Sequence, residues 1–180
     1  WVLKRQENLE KNLADRHLGD SDSVPYDLSS SYYTRTHCPL APSGHGRDRK
    51  QGFPIIGYGV LANQEGCPVA IEVYTGNTAG SSSIADQADK LRHRFDLQRG
   101  IVIGDRGCLT NTTIQALRKH PVLGWVGALK SDAIRALIKY GNLETSLFGS
   151  QNLGEITSDA YPGERLIACF NPLVAKKRRR

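Results

Sequence analysis

Residues 100–107 read Gly-Ile-Val-Ile-Gly-Asp-Arg-Gly, and this stretch decides the predicted fold. The apolar run before Asp105 is short and rich in β-branched side chains, which predicts a buried parallel strand and not a helix. A carboxylate near the buried centre of a sheet is costly unless a neighbouring group compensates its charge. Asp105 is therefore a candidate functional residue; its alternative role is to cap the loop at the strand end.

A second acid occupies a similar place in residues 24–30, which read Val-Pro-Tyr-Asp-Leu-Ser-Ser. Alternation along a strand turns Val24, Tyr26 and Leu28 to one face and Asp27 to the other. If the two strands are neighbours, Asp27 and Asp105 repel each other, and a divalent cation would relieve that repulsion. The pair predicts a metal site, whereas an edge-strand aspartate facing solvent is the alternative for Asp27.

The pattern between the two acids predicts an antiparallel hairpin followed by a crossover helix. Strands are expected at 55–62 and 68–75, because a short turn-rich link at 63–66 joins two β-prone runs. The helix is expected to begin near Ser82 or Ser83. Its apolar residues recur at helical spacing: Ile84, Ala88, Leu91 and Phe95.

Further elements are expected on either side of this unit. A first helix presents one face formed by Val2, Gln6, Leu9 and Leu13, and residues 38–53 form an exposed loop. The remaining predicted elements are a short helix capped by Thr110 or Asn111 and closed by Pro121, a strand at 125–129, a helix capped by Ser131 and ended by Gly141, and a strand at 166–170.

The order of these elements, three strands and then alternating helices and strands, predicts an α/β fold. The first three strands form an antiparallel meander, and right-handed crossovers add the later strands to the same mixed sheet. In such a sheet the first strand can lie beside the strand that follows the crossover helix. Asp27 and Asp105 would then meet although 78 positions separate them.

Composition indicates a globular chain whose positive charge is concentrated at one end. The formal net charge is +6, and residues 176–180 supply most of it, since 19 basic residues face 18 acidic ones elsewhere. This tail either contacts nucleic acid through phosphates or is a solvated end. Four scattered cysteines without a Cys-x-x-Cys pair favour reduced thiols over disulfides or zinc. Without a membrane-length apolar run or a signal pattern, a cytoplasmic protein is expected.

A set of motifs then appears in a fixed order. These motifs are Tyr-Asp-Leu-Ser-Ser-Ser-Tyr-Tyr at 26–33, Gly-Cys-Pro-Val-Ala at 66–70 with Glu72 just after, Gly-Asn-Thr at 76–78, Ile-Gly-Asp-Arg-Gly at 103–107, and shorter matches within 86–92 and 161–166. Together they resemble the catalytic domain of bacterial insertion-sequence transposases of the DDE type. The likeness runs from about residue 7 to residue 171.

The resemblance implies a ribonuclease H-like mixed sheet flanked by helices, with Asp27 and Asp105 as catalytic, metal-binding carboxylates. It also implies a third carboxylate, a glutamate on a later helix beyond a β-rich insertion, and we expect this chain to end inside or just after that insertion. Glu144, Glu155 and Glu164 lie in the insertion-like region and are not assigned that role. The expected division is a leading helix at 1–20, a partial ribonuclease H-like core at 21–140, an insertion-like region at 141–175 and a basic tail at 176–180.

The chain departs from the family pattern at several positions. Gly80 stands where the family's Gly-Asn-Thr-x-Asp motif has its aspartate, and Cys108 replaces a common methionine after Asp-Arg-Gly. Thr34 and Arg35 replace the usual Glu-Gly pair. Several departures together fit a decayed or truncated copy of such an element.

The implied function is metal-dependent cleavage and strand transfer of insertion-sequence DNA, with two Mg²⁺ ions in the complete enzyme. The implied partners are the element's DNA ends, the target DNA and, in the complete protein, further copies of the chain. The implied location is the bacterial cytoplasm, in association with the nucleoid. Because the third carboxylate is expected to be missing, we predict little or no strand cleavage by this chain alone.

Two other functions remain open at this point. One is a non-catalytic fragment that binds DNA or an intact transposase, and the other is a different metal-dependent phosphotransfer enzyme with the same two-aspartate sheet. No residue is assigned to DNA binding, since the basic cluster of Arg47, Arg49 and Lys50 is either a DNA contact or a solvated loop.

Overall fold

A computed structural model describes residues 2–19, 22–34, 37–45, 51–108, 110–119, 123–140, 152–173 and 176. Several sequence features lie outside these ranges, namely Arg47, Arg49, Lys50, Pro121, Gly141, Glu144 and the tail beyond Lys176. The chain divides into two compact units, residues 1–129 and 130–180, which are described one at a time. The four-part division expected from the sequence stays a prediction.

The first unit is a mixed sheet with helices packed on it. The helices are α1 (Gln6–His17), α2 (Gly80–His93) and α3 (Asn111–Leu117), and the strands are β1 (Ser23–Tyr32), β2 (Ser43–His45), β3 (Gln51–Ala62), β4 (Pro68–Thr75), β5 (Gly100–Gly104) and β6 (Leu123–Val126). The sheet has the order β4-β3-β1-β5-β6, and the short β2 also pairs with β3. The pairs β1–β3 and β3–β4 are antiparallel, whereas β1–β5 and β5–β6 are parallel. The predicted meander followed by parallel crossovers is therefore confirmed.

The two faces of the sheet differ in how deeply their side chains are buried. On one face Val24, Tyr26 and Leu28 are buried in a core that also contains Ile84 and Leu91 of α2. On the other face lies the row that pairs Asp27 with Val60 and Val60 with Ile71. Large apolar side chains on this second face are about half exposed: Ile71 at 47%, Val73 at 50% and Val126 at 53%. Asp27 therefore lies on the open side of the sheet.

The start of α2 differs from the prediction, whereas the start of α3 agrees with it. Helix α2 begins at Gly80 after Ala79, which makes no side-chain capping bond, and Ser83 instead donates its hydroxyl to the Gly80 carbonyl at 2.9 Å. Helix α3 begins as predicted, because the Thr110 hydroxyl accepts a hydrogen bond from the backbone N–H of Thr113 at 3.3 Å. Side-chain capping thus predicted the start of α3 but not that of α2.

The face predicted for the first helix is wrong. Leu9 and Leu13 are 43% and 38% exposed, whereas Glu10 and Ala14 are buried. The reason is that α1 lies against the edge of β4, where it meets polar groups. The Gln6 amide donates to the Ile71 carbonyl at 2.9 Å, and the Ile71 N–H donates to Glu10 Oε1 at 3.1 Å.

Lys90 of α2 and Arg94, the residue directly after α2, complete the environment of Glu10. Lys90 Nζ lies 3.4 Å and Arg94 Nη1 lies 3.1 Å from Glu10 Oε2. Lys90 also pairs with Glu72 at 2.8 Å, and Arg94 pairs with Glu7. A buried carboxylate is tolerated when it is paired and hydrogen-bonded, so this network holds α1 on both β4 and α2.

The loop predicted at 38–53 is partly strand. Strand β2 pairs antiparallel with the beginning of β3, which starts at Gln51 and not at Ile55. The rest of β3 and all of β4 follow the prediction. The sequence did not predict this pairing because residues 42–54 contain several Pro and Gly residues, which in a strand usually mark an edge or a bulge.

The second unit contains a helix and a two-stranded sheet. Its elements are α4 (Ser131–Lys139), β7 (Leu153–Ile156) and β8 (Leu166–Cys169), with β7 and β8 antiparallel. Lys130, and not Ser131, is the residue before the first helical turn of α4. Arg165 binds both carboxylate oxygens of Glu155, at 2.8 and 3.0 Å, across the two strands. In the described part of both units, every helix is too short or too polar to cross a bilayer.

A substitution at Gly59 tests how tightly the core is packed against β1. A Cβ atom at Gly59 would lie 2.7 and 2.9 Å from ring carbons of the buried Tyr26, so Gly59→Ala should lower the free energy of unfolding by about 1–3 kcal/mol. Urea denaturation measures the change. Gly57→Ala is the matched control in the same strand, because its Cβ would meet ordinary contacts from 3.4 Å outward. Equal stability of the two variants would contradict the packing described here.

Candidate functional site

The parallel register of β1 and β5 brings the two predicted site residues together. Their pairing runs from Ser23 with Ile101 to Tyr26 with Gly104. One further residue along each chain sets Asp105 opposite Asp27, and neighbouring strands lie about 4.8 Å apart. Both aspartates are exposed. The register thus brings the backbone positions of Asp27 and Asp105 near each other, although they are far apart in sequence.

Asp27 is held in the middle of β1. Val60 of β3 pairs with it on one side, and β5 ends on the other side. The Ser29 hydroxyl, two residues along the same face, donates a hydrogen bond to Asp27 Oδ2 at 3.1 Å. This bond orients the carboxylate.

Asp105 is held by the tight turn that follows β5. The backbone N–H of Cys108 donates to Asp105 Oδ1 at 2.9 Å, and it also reaches the Asp105 carbonyl at 3.2 Å. The carboxylate lies over Gly107, where a Cβ atom would be 3.2 Å from Oδ1. The turn therefore fixes the Asp105 side chain close to its own backbone.

The same turn packs against the beginning of α2. Gly80, the first residue of α2, faces Gly107 and the fully buried Cys108. Gly80 and Cys108 are two of the departures from the resembled family pattern, and the structure places them in contact. Sequence reasoning noted both residues separately and missed their proximity, since nothing in the spacing of 80 and 108 signals a contact.

The burial of the two acids differs from the expectation. Asp105 was expected near the buried centre of the sheet, whereas both Asp27 and Asp105 are exposed. Two carboxylates are a suitable donor set for Mg²⁺, which binds few protein oxygens and keeps several waters. No cluster of three metal-ligating side chains occurs within the described ranges.

Glu155 and Glu164, the described glutamates of the insertion-like region, belong to the second unit. Glu155 is engaged by Arg165, and the hydrogen bond from that guanidinium holds the pKa of Glu155 below its usual range. The described residues therefore give no reason to assign either glutamate to the site.

One solved structure with a similar fold is that of a DNA transposase. The piggyBac transposase, in a cryo-EM synaptic complex with hairpin DNA, superposes with a TM-score of 0.51 and 13% identity over 83% of this chain. The fold is transposase-like. The aligned part covers 33% of the piggyBac chain, so this chain spans about a third of that protein. The predicted α/β class, a ribonuclease H-like mixed sheet flanked by helices, is confirmed.

Two structures of the Mos1 transposase give weaker matches. The paired-end complex with the left transposon end has a TM-score of 0.39 and 11% identity, and the mariner paired-end complex with Mn has a TM-score of 0.35 and 12% identity. Each covers 77% of this chain and 55% of the Mos1 chain. No protein-family model and no curated protein matches the sequence.

Directly beneath Asp27, the transposase-like sheet buries a tyrosine that sequence reasoning did not single out. The Tyr26 ring lies over Gly59, and its hydroxyl is buried near Ser83 and Tyr74. Burial raises the pKa of Tyr26 to about 12. Burial also raises the pKa of Tyr74, whose hydroxyl accepts a 2.7 Å hydrogen bond from the Gln87 amide. Alternate glycines at 57 and 59 were the available signal, because glycine inside a strand often marks a close approach.

Because of Tyr26, the free energy of unfolding should depend on pH in the alkaline range. The unfolded tyrosine has a pKa near 10, and the folded value is about 12. Above pH 10 the unfolded chain releases this proton first, so the free energy of unfolding should fall as pH rises towards 12. Urea denaturation at pH 8, 10 and 11 measures the fall. Tyr26→Phe should reduce the fall of the free energy of unfolding between pH 10 and pH 11; an unchanged fall would exclude Tyr26 as its source.

Proposed function

We propose that this chain is part of the catalytic domain of a DNA transposase that cleaves and transfers insertion-sequence DNA. The observation that supports this most directly is the β1–β5 register, which sets Asp105 beside Asp27 on an exposed surface. The transposase-like fold supports the same proposal independently. The substrates would be the element's DNA ends and target DNA, and the complete protein would act as a homo-oligomer in the bacterial cytoplasm, associated with the nucleoid.

In this proposal Asp27 and Asp105 are the metal-binding catalytic carboxylates. Each keeps one carboxylate oxygen oriented by the chain, through the Ser29 hydroxyl for Asp27 and the Cys108 N–H for Asp105. When bound, Mg²⁺ would supply electrostatic stabilisation for an in-line phosphoryl displacement. The open sheet face leaves room for a DNA backbone to approach both acids, because neither is covered by the described residues.

The described residues provide two carboxylates, where the resembled family uses three. Since a third ligand is not present beside them in the described ranges, we propose that the 180-residue chain cleaves DNA poorly by itself. The same observation favours a second candidate function, in which the chain binds DNA or an intact transposase without cutting. The excess of basic over acidic residues, 24 against 18, is compatible with binding to phosphates.

The metal role makes a direct prediction for two conservative variants. Asp27→Asn and Asp105→Asn should each weaken Mn²⁺ binding by roughly 10-fold or more, because an amide oxygen replaces an anionic ligand. Calorimetric titration of the purified chain with Mn²⁺ and Mg²⁺ measures the affinity. Asp89→Asn is the matched control, since Asp89 is an exposed acid of α2, the helix on the opposite face. If both site variants kept the affinity of the unaltered chain, the metal site would be excluded.

The DNA role is tested by gel-shift and nicking assays on the same chain. We expect it to retard duplex DNA at low salt, to lose this binding as salt rises, and to nick DNA little in Mg²⁺. A chain without residues 176–180 separates the contribution of the tail from that of the sheet. Robust Mg²⁺-dependent nicking would contradict the proposed lack of cleavage, and failure of both chains to bind would remove the DNA proposal.

A further inference from the structure

The turn from Asp105 to Cys108 is confined between a fixed strand end and a fixed helix start. We infer that Gly80, at the beginning of α2, is a positioning residue for the Asp105 carboxylate. Because glycine has no side chain, it leaves the space that this turn occupies. The inference rests on the proposed function only in giving the Asp105 carboxylate a metal-binding role. That Gly80 positions this carboxylate rests on contacts within the chain.

The contact between Gly80 and the turn is closer than a side chain normally permits. A Cβ atom at residue 80 would lie 3.2 Å from the Gly107 carbonyl oxygen and 3.3 Å from Cys108 Sγ. The first of these atoms belongs to the backbone, and the second belongs to a side chain that is 0% exposed. Neither can rotate into solvent, so a methyl group at residue 80 must move the turn.

A movement of the turn would be transmitted to Asp105 through the hydrogen bond from the Cys108 N–H. The Cys108 N–H that donates to Asp105 Oδ1 belongs to the same residue whose Sγ faces Gly80. On its other side the turn begins directly after Gly104, which pairs with Tyr26 in the sheet. Because the strand end is held by that pairing, displacement at Cys108 changes the orientation of the carboxylate.

Space, and not backbone conformation, is the reason for glycine at residue 80. Gly80 does not have a positive φ; among the described glycines only Gly66 and Gly163 do. Glycine in a helix is unfavourable relative to alanine. An alanine at this position would therefore favour α2 as an isolated helix, and the contact with the turn opposes it.

The experiment compares Gly80→Ala with Gly124→Ala, which adds a methyl group in β6 where the nearest atom is 3.6 Å away. The first readout is amide hydrogen exchange by NMR at residue 108, referenced to the Ile114 amide, which bonds to the Thr110 carbonyl at 2.9 Å. The second readout is Mn²⁺ affinity by calorimetry. Cys108→Ala, which removes Sγ from the same contact, is measured in parallel so that the test does not depend on one variant folding.

Gly80→Ala should raise exchange at residue 108 roughly 3- to 10-fold, the range expected when one hydrogen bond is weakened. Exchange at Ile114 should not change, and Mn²⁺ affinity should fall roughly 10-fold. Gly124→Ala should alter neither quantity. Cys108→Ala should also raise exchange at residue 108.

Unchanged exchange at residue 108 in both Gly80→Ala and Cys108→Ala would overturn the inference. An equal rise at Ile114 would overturn it as well, because the effect would then be general destabilisation. Raised exchange at residue 108 with no change in Mn²⁺ affinity would overturn the link to the site. If the unaltered chain bound no Mn²⁺, the proposed metal site would fail, and the exchange data would still decide whether Gly80 positions Asp105.

Discussion

The parallel pairing of β1 with β5 is the constraint on which the rest of the first unit depends. It joins two segments that are 78 positions apart, and α2 packs over one face of the sheet they share. The register also decides which side chains face the core, because a shift by one residue would exchange the two faces of a strand. With the observed register, Tyr26 enters the core and Asp27 faces outward. Core packing and site geometry are therefore set by the same set of backbone hydrogen bonds.

This arrangement couples the two sides of β1 closely. The Tyr26 ring needs the space above Gly59, where it packs in the core of the sheet. Glycines serve the other acid in a comparable way, since Gly107 leaves space for the Asp105 carboxylate and Gly80 leaves space for its turn. The glycines at these contacts allow backbone segments to pack closely, and this packing fixes the positions of Asp27 and Asp105.

Much of the first unit could be predicted because its signals are local. The short β-branched run before Asp105 and the hairpin at 55–75 reveal strands through composition and turn chemistry, and both are found in the structure. The orientation of α1 could not be predicted, because periodicity finds apolar faces and this helix docks through Glu10 on Lys90 and Arg94, 80 and 84 positions away. The identities of the candidate acids followed from sequence, whereas their exposure and the contact between Gly80 and Cys108 depend on tertiary packing.

The polar docking of α1 has a consequence for self-association. Strand β4 stands at the end of the main strand order, where an unpaired N–H and C=O would invite a strand from another molecule. The Gln6 side chain donates to the C=O of Ile71 and the Glu10 side chain accepts from its N–H, as the backbone of a neighbouring strand would do. An intruding strand would have to displace a carboxylate that also binds Lys90 and Arg94. The ion network of α1 therefore protects this border of the sheet against edge-to-edge aggregation.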